Sequence, residues 1–374
     1  MRKKIDKKTK ITYLVDFFRT ISAGTEKQLG YLLTHLPELN YSVQLISLQD
    51  SPFLKDEAPI LFPKVAINTL GAQSDVSKSL PALAHLYLLL RSSKPGIVHT
   101  FFPTSNSFGV LISRFAGIPT IVSSRRDMGY NLNKKDIVFL KIANRFVSCI
   151  VANARAVREH AIKVEGIKKE KMQVIYNGIS FDDYNRSSHT NIQKEPIIGI
   201  VANLNRPVKR VDLFIKAAAI INQNFPDVKF WIVGDGPLRI GLEQLASNLG
   251  LNSNVVFLGH QREIRMLFNK MTVGVICSDS EGFSNTIMEY MAYGIPVVAT
   301  RVGGNTELVE HKKTGFLVPP GDHELLAIGI MRYLQHNDIA RKMGLAGKNK
   351  ILENFSENIM IQATKDIYEA LVVT

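Results

Sequence analysis

The 374 residues, 45% of them hydrophobic and 21% charged, are too apolar for a disordered chain and exceed the ~250–300 residues that one core organises, so two domains are expected. No apolar run approaches the ~18 residues that span a bilayer, and Cys149 and Cys277, the only cysteines, are too few for a disulfide framework or zinc site and read as buried apolar residues. The net charge of +13 is one-sided: residues 1–190 hold 27 Lys and Arg against 15 Asp and Glu, residues 191–374 hold 19 against 18. The excess in the first half suggests an anionic partner, such as acidic lipid headgroups, a phosphorylated acceptor or nucleic acid, with a general solubility charge as the plain alternative.

The chain opens with Arg2, Lys3, Lys4, Lys7, Lys8 and Lys10, but Asp16 and Arg19 interrupt the apolar stretch that follows. A secretory signal is therefore not expected, and the reading is a cytoplasmic protein. Strands are expected at 11–15, 42–48, 97–100, 120–123, 149–152 and 172–176, with helices at 26–36, 80–92, 105–115, 135–146 and 154–161 between them. This alternation predicts a parallel sheet with right-handed crossovers. The polar run 187–195 reads as a linker. A second series follows, with strands at 197–202, 229–233, 255–258, 273–277, 297–299 and 315–318 and helices at 211–222, 238–248, 285–293 and 325–335. The expected organisation is an N-terminal domain over 1–190, a second over 191–355, and a helix in 356–374 packing back on the first. Two such doubly wound halves would place a ligand crevice between their strand C-termini.

In Asp279-Ser280-Glu281-Gly282-Phe283-Ser284-Asn285-Thr286-Ile287-Met288-Glu289 a strand ends, a glycine turn follows and Ser284 or Asn285 caps a helix. Such a helix start offers N–H groups and a positive dipole end to an anion, which suits a diphosphate. Glu289, one turn in, is placed to accept hydrogen bonds from vicinal hydroxyls such as those of a ribose, and Glu281 can reach another part of the same ligand. Standing alone, the segment would equally describe a capped helix with two surface glutamates.

The Glu281 and Glu289 pattern, with seven residues between, continues through Tyr290-Met291-Ala292-Tyr293-Gly294-Ile295-Pro296-Val297-Val298-Ala299-Thr300. Further on come 302–308, 314–322, Val233-Gly234-Asp235-Gly236-Pro237-Leu238-Arg239 and Tyr176-Asn177-Gly178-Ile179. Together these segments resemble glycosyltransferase family 4, the retaining GT-B enzymes, closely over the second half and loosely over the first. The resemblance implies two Rossmann-like domains facing a central cleft and a nucleotide-diphosphate sugar as donor. Glu289 would bind the donor ribose and Glu281 the sugar hydroxyls. The backbone at Phe283, Ser284, Asn285 and Thr286 would bind the sugar and diphosphate, with Gly234 also on the donor side. Negative charge builds on the leaving diphosphate, so cations are needed there. Lys209 matches the family's lysine; Asn203 stands where the family's arginine is common, which leaves Arg206 for that role. Solvated charge at a helix start is the competing reading for both. With these side-chain cations no metal is needed for catalysis and no cofactor is expected. Asp279-Ser280-Glu281 lacks the carboxylate cluster of a metal motif, and Pro237 breaks the dinucleotide fingerprint begun by Gly234 and Gly236.

In the first half, Gly24 follows the first strand, where a missing side chain would let a ligand approach; a helix cap by Thr25 competes. After the strand 120–123 the family often has a His-Asp pair, whereas Arg126 precedes Asp127 here. Arginine stays protonated and cannot be a general base, so Arg126 points to electrostatic or acceptor binding, compatible with front-face retention. His99, at another strand end, is an acceptor-side candidate with structural use as the alternative. The segment 134–146 pairs cations with an apolar face that could rest on an anionic membrane beside a glycan or lipid-linked acceptor, although a core-packed helix explains the apolar face as well. No nucleic-acid motif or aromatic stacking platform is found. The functional expectation is a hexosyl or amino-hexosyl transferase in cell-surface polysaccharide or glycolipid synthesis; the alternatives are a non-catalytic nucleotide-sugar sensor or scaffold and a basic membrane adaptor.

Overall fold

A computed structural model of the protein describes residues 9–22, 24–71, 79–181, 195–261 and 263–372. The N-terminal basic cluster, Lys10 excepted, and the linker, Glu195 excepted, lie outside the described residues. The chain divides into two compact units: residues up to Gly178 joined by those from Glu357 onward, and Ile179–Ser356. The division thus falls ahead of the residue 190 drawn from the sequence.

The first unit is a parallel sheet of seven strands, β1 (Lys10–Val15), β2 (Ser42–Ser47), β3 (Val65–Thr69), β4 (Ile97–Phe101), β5 (Thr120–Arg125), β6 (Cys149–Ala152) and β7 (Met172–Val174), in the order β3-β2-β1-β4-β5-β6-β7. Helices cover both faces, so the central strands are buried along nearly their whole length rather than alternating, with polar residues such as His99, Thr100, Ser123 and Arg125 buried too. The sequence reading missed β3. Its residues Val-Ala-Ile-Asn-Thr are half-exposed on a sheet edge, paired only to β2, and carry neither an alternating nor a continuous apolar signal.

Strand order reverses between β1 and β4, and Asp16 fills that point. Its carboxyl oxygens accept the backbone N–H groups of Thr104 at 2.9 Å and Ser105 at 2.6 Å, and the Ser105 hydroxyl at 2.6 Å. Asp16 thereby caps, from the end of the neighbouring strand β1, the helix entered after β4. The helix Glu357–Val372 also belongs to this unit. Met360, Ile361 and Tyr368 join the core cluster of Leu29, Leu33 and Tyr13, and the Tyr368 hydroxyl meets Tyr13 at 3.0 Å. The side-chain amide of Gln28 bonds both the N–H and the C=O of Gly178, at 2.8 and 2.9 Å, which fixes the last residue of this part of the unit.

The second unit repeats the plan with six parallel strands, β8 (Ile197–Val201), β9 (Lys229–Val233), β10 (Val255–Gly259), β11 (Val273–Ile276), β12 (Val297–Thr300) and β13 (Gly315–Val318), in the order β10-β9-β8-β11-β12-β13. The reversal lies between β8 and β11, where an open α/β sheet binds its ligand beyond the strand ends. The helix Asn285–Ala292 is tied to this point by Tyr290, fully buried, whose hydroxyl accepts the Val201 N–H at 3.0 Å and donates to Gly199 O at 3.2 Å.

Candidate active site

In the second unit, the loops leaving β8 and β11 meet beyond the strand ends. The Asp279 N–H donates to Val208 O at 2.8 Å, and the Cys277 thiol donates to Arg210 O at 3.0 Å. Arg210 reaches Asp279 at 3.1 Å and Asp212 at 3.0 Å. Laced in this way, the loops bring Lys209 Nζ to 2.7 Å from Glu281 Oε1. Glu281 is buried, and the same Oε1 accepts the Ser278 hydroxyl at 2.6 Å. Thr300 at the end of β12 holds Ser278 in turn, donating to its carbonyl at 2.7 Å.

Two glycines make these approaches sterically feasible. Gly303 sits at φ +45°, and a Cβ there would collide with the Glu281 carbonyl, while the Gly304 N–H bonds Gly282 O at 2.8 Å. Gly234, at φ +129°, leaves no room for a Cβ against the Ala202 carbonyl at the exit of β8. Gly234 therefore shapes the loop that carries Lys209.

Ser284 is the helix cap, its hydroxyl accepting the Ile287 N–H at 3.3 Å. Its side chain is small and neutral, so the helix start keeps its positive end. Asn285, Thr286 and Glu289 follow on the first turn and a half, each half-buried. The Phe283 ring packs 5.4 Å from Phe355, which leaves its backbone as the part facing the turn. Arg206 is exposed at the start of the short turn Pro207–Lys209. Among the described residues, no group of three or more His, Cys, Asp or Glu is arranged to hold a metal ion.

The candidates of the first unit fare differently. Gly24 opens the helix Gly24–His35 and is exposed. Asp127 is exposed, accepting the Gly129 N–H at 2.8 Å in a tight turn. Arg126 is half-buried, donates to Asn177 Oδ1 at 2.7 Å and lies 6.0 Å from the Phe101 ring centre. His99 matches the structural alternative of its two sequence readings: it is buried, with Nδ1 2.6 Å from the Tyr368 hydroxyl and Nε2 2.8 Å from the Ser124 hydroxyl. Both ring nitrogens are engaged inside the unit, so His99 is a structural link rather than an acceptor-facing group. Burial, reinforced by the Arg126 charge, pushes its pKa down to about 3. Ser278, Gly303 and Asp16 were not among the sequence candidates.

Two family models match the chain, "Glycosyltransferase Family 4" over residues 22–183 and "Glycosyl transferases group 1" over residues 195–336. The chain belongs to glycosyltransferase family 4. Named relatives are similar to it over half to nine-tenths of the chain. A UDP-Gal:alpha-D-GlcNAc-diphosphoundecaprenol alpha-1,3-galactosyltransferase of Escherichia coli is 26% identical over 90% of this chain and 91% of its own length. N-acetyl-alpha-D-glucosaminyl L-malate synthase of Bacillus anthracis is 33% identical, over 55% of this chain and 56% of its own. In fold, the chain matches Anabaena HepE in complex with UDP-glucose at a TM-score of 0.83, with 24% identity over 96% of this chain and 99% of that one. The architecture is GT-B: two parallel-sheet α/β domains, of seven and six strands. The Lys209–Glu281 pair and the Ser284-capped helix lie within the span matched by the second model, at the strand reversal of the second unit.

Proposed function

We propose that this family 4 glycosyltransferase moves a hexose or amino-hexose from a UDP-sugar to a glycan acceptor, lipid-linked, in cell-surface polysaccharide or glycolipid synthesis, with retention at the anomeric carbon. The observation that carries the reading is the Lys209–Glu281 contact of 2.7 Å beside a helix start capped by a neutral serine. The relatives support the donor class, being named for UDP-galactose or solved with UDP-glucose, and the E. coli relative's name supports a diphosphate-linked lipid acceptor.

On this reading, the donor diphosphate lies against the start of the helix Asn285–Ala292 and takes Lys209 as counter-ion. Ser278 keeps hold of Glu281, whose carboxylate accepts hydroxyls of the sugar, and Glu289 accepts those of the ribose. As the glycosidic bond breaks, negative charge grows on the bridging phosphate oxygen, where Lys209 and Arg206 stabilise it. That oxygen takes the acceptor proton on the same face, so neither a metal nor a protein base is needed, and Arg126 and Asp127 serve the acceptor. The helix Lys134–Ala143 and its exit expose Val138, Phe139, Ile142 and Phe146 among Lys134, Lys135, Lys141 and Arg145, which supports residence at the anionic cytoplasmic face of a membrane. No described helix is long and apolar enough to cross one.

The test is a thermal-shift panel of nucleotide-diphosphate sugars, followed by transfer to a diphosphate-lipid sugar acceptor with the new linkage assigned by NMR. A UDP-sugar is expected to raise the melting temperature most and to yield an alpha-linked product from an alpha-linked donor. Binding without transfer or donor hydrolysis would favour a nucleotide-sugar sensor instead.

A further inference from the structure

Adjacent arginines at the end of β5 are solvated in opposite ways. Arg125 is buried and makes five hydrogen bonds: two to Glu165, at 2.8 and 2.7 Å, and one each to Asn144 Oδ1 at 2.9 Å, the Ser123 hydroxyl at 2.7 Å and Ser124 O at 3.3 Å. Burial alone would raise the Glu165 pKa, but the Arg125 guanidinium wins and lowers it. Arg125 is a neutralised structural cation.

Arg126 has no such compensation. Among the described residues its guanidinium makes one hydrogen bond, from Nη2 to the neutral amide oxygen of Asn177, and its buried Nε makes none. Among the described residues no carboxylate forms an ion pair with it: Asp127 Oδ1 takes the Gly129 N–H, and the oxygens of Asp16 take the groups at Thr104 and Ser105. Burial pulls its pKa down to about 10, so it remains a cation at neutral pH. Meanwhile its position is well fixed. The Asn153 side chain donates to the Arg126 carbonyl at 3.0 Å, Asn177 holds one nitrogen, and Phe101 lies beside the guanidinium. All of this is at the carboxyl end of β4, β5 and β6, the edge where a doubly wound sheet takes ligands. A half-buried cation held in place without a counter-ion is costly to the folded state, and an oxyanion offered to its planar fork offsets that cost.

We propose that Arg126 is an oxyanion-binding site that recognises a phosphate or carboxylate group of the acceptor. This rests on the transferase reading for the identity of the ligand as acceptor, but the binding site itself is tested separately. Calorimetry is run on full-length protein saturated with UDP, so that the donor diphosphate site is blocked, with inorganic pyrophosphate, citronellyl diphosphate and citrate as probes. At least one probe is expected to bind wild type saturably and at least tenfold more weakly to Arg126→Gln, with Arg126→Lys between them and UDP affinity unchanged. Preference for citronellyl diphosphate would assign a lipid-linked phosphate, preference for pyrophosphate a free one, and preference for citrate a carboxylate. A second readout separates this role from a structural one: without probe, Arg126→Gln is expected to melt at or above the wild-type temperature, whereas Arg125→Gln melts below it. Equal probe affinity in wild type and Arg126→Gln, or no saturable binding of any probe, overturns the proposal. Failure of UDP to bind would instead overturn the donor reading while leaving the anion titration interpretable.

Discussion

The two units share a strand plan and use its reversal point in contrary ways. Between β1 and β4 the helix start entered after β4 is already served by Asp16, which takes two backbone N–H groups and the Ser105 hydroxyl. Between β8 and β11 the corresponding helix start is served by Ser284, and the nearby charges are one cation and one carboxylate from two loops, Lys209 and Glu281. A carboxyl group of the protein's own occupies the donors that an external anion would use; a serine occupies one and leaves the dipole end positive. The fold supplies the same place twice, and the capping side chain sets whether its N–H groups are taken by the protein's own carboxyl group or its dipole end stays positive.

The contrast can be broken most severely at the paired charges. Glu281→Ala is expected to cut the turnover rate by about 10²–10³-fold, the range seen when one preorganised transition-state contact is lost, while stopped-assay kinetics and circular dichroism show a folded protein. Lys209→Met is expected to do the same and also to reduce stability, because Glu281 is left buried without its partner. Next, Asp16→Ala should destabilise the first unit by about 2–3 kcal/mol, since Thr104 and Ser105 lose a charged acceptor; urea denaturation reads this, and UDP affinity should not change. The sharpest exchange is Ser284→Asp, which gives the second unit the device of the first. It keeps the cap yet sets a negative charge against the donor diphosphate, and UDP affinity by calorimetry is expected to fall tenfold or more with little change in melting temperature.

The smallest effect concerns pH. With the His99 pKa lowered from 6.5 to about 3, the unfolded chain binds a proton below about pH 6.5 while the folded unit does not, so stability is lost as pH falls through that window. By pH 5.5 the loss is roughly 1.4 kcal/mol, and His99→Gln should remove that component from the pH dependence of the melting temperature. An unchanged dependence would show that another group controls it.

The sequence made the strands of the second unit legible nearly to the residue, because a parallel sheet covered on both faces writes continuous apolar runs such as Ile197–Val201 and Val273–Ile276. It made Lys209 and Glu281 legible as chemistry, 72 positions apart, but their 2.7 Å contact depends on two loops brought together only by the strand order. Gly303 went unread for the same reason, since it meets Glu281 through tertiary approach; Ser278 bonds Glu281 from three positions away, but a serine there is not distinctive locally. His99 was placed at its strand end correctly, yet the group that engages it, Tyr368, is 269 residues away. Strand position alone cannot reveal such a partner.

Because the chain leaves the first unit at Gly178 and re-enters it at Glu357, that unit is interrupted in the order of synthesis while the second is continuous. As the polypeptide emerges, residues 179–356 can complete a sheet and its helices from neighbouring sequence alone. The earlier-made first unit must wait for its last helix, with Leu29 and Leu33 uncovered and Tyr13 and His99 lacking the Tyr368 hydroxyl. The part made first is thus finished last, and until Met360 and Tyr368 arrive its apolar core is incomplete, the kind of surface that invites chaperones and aggregation.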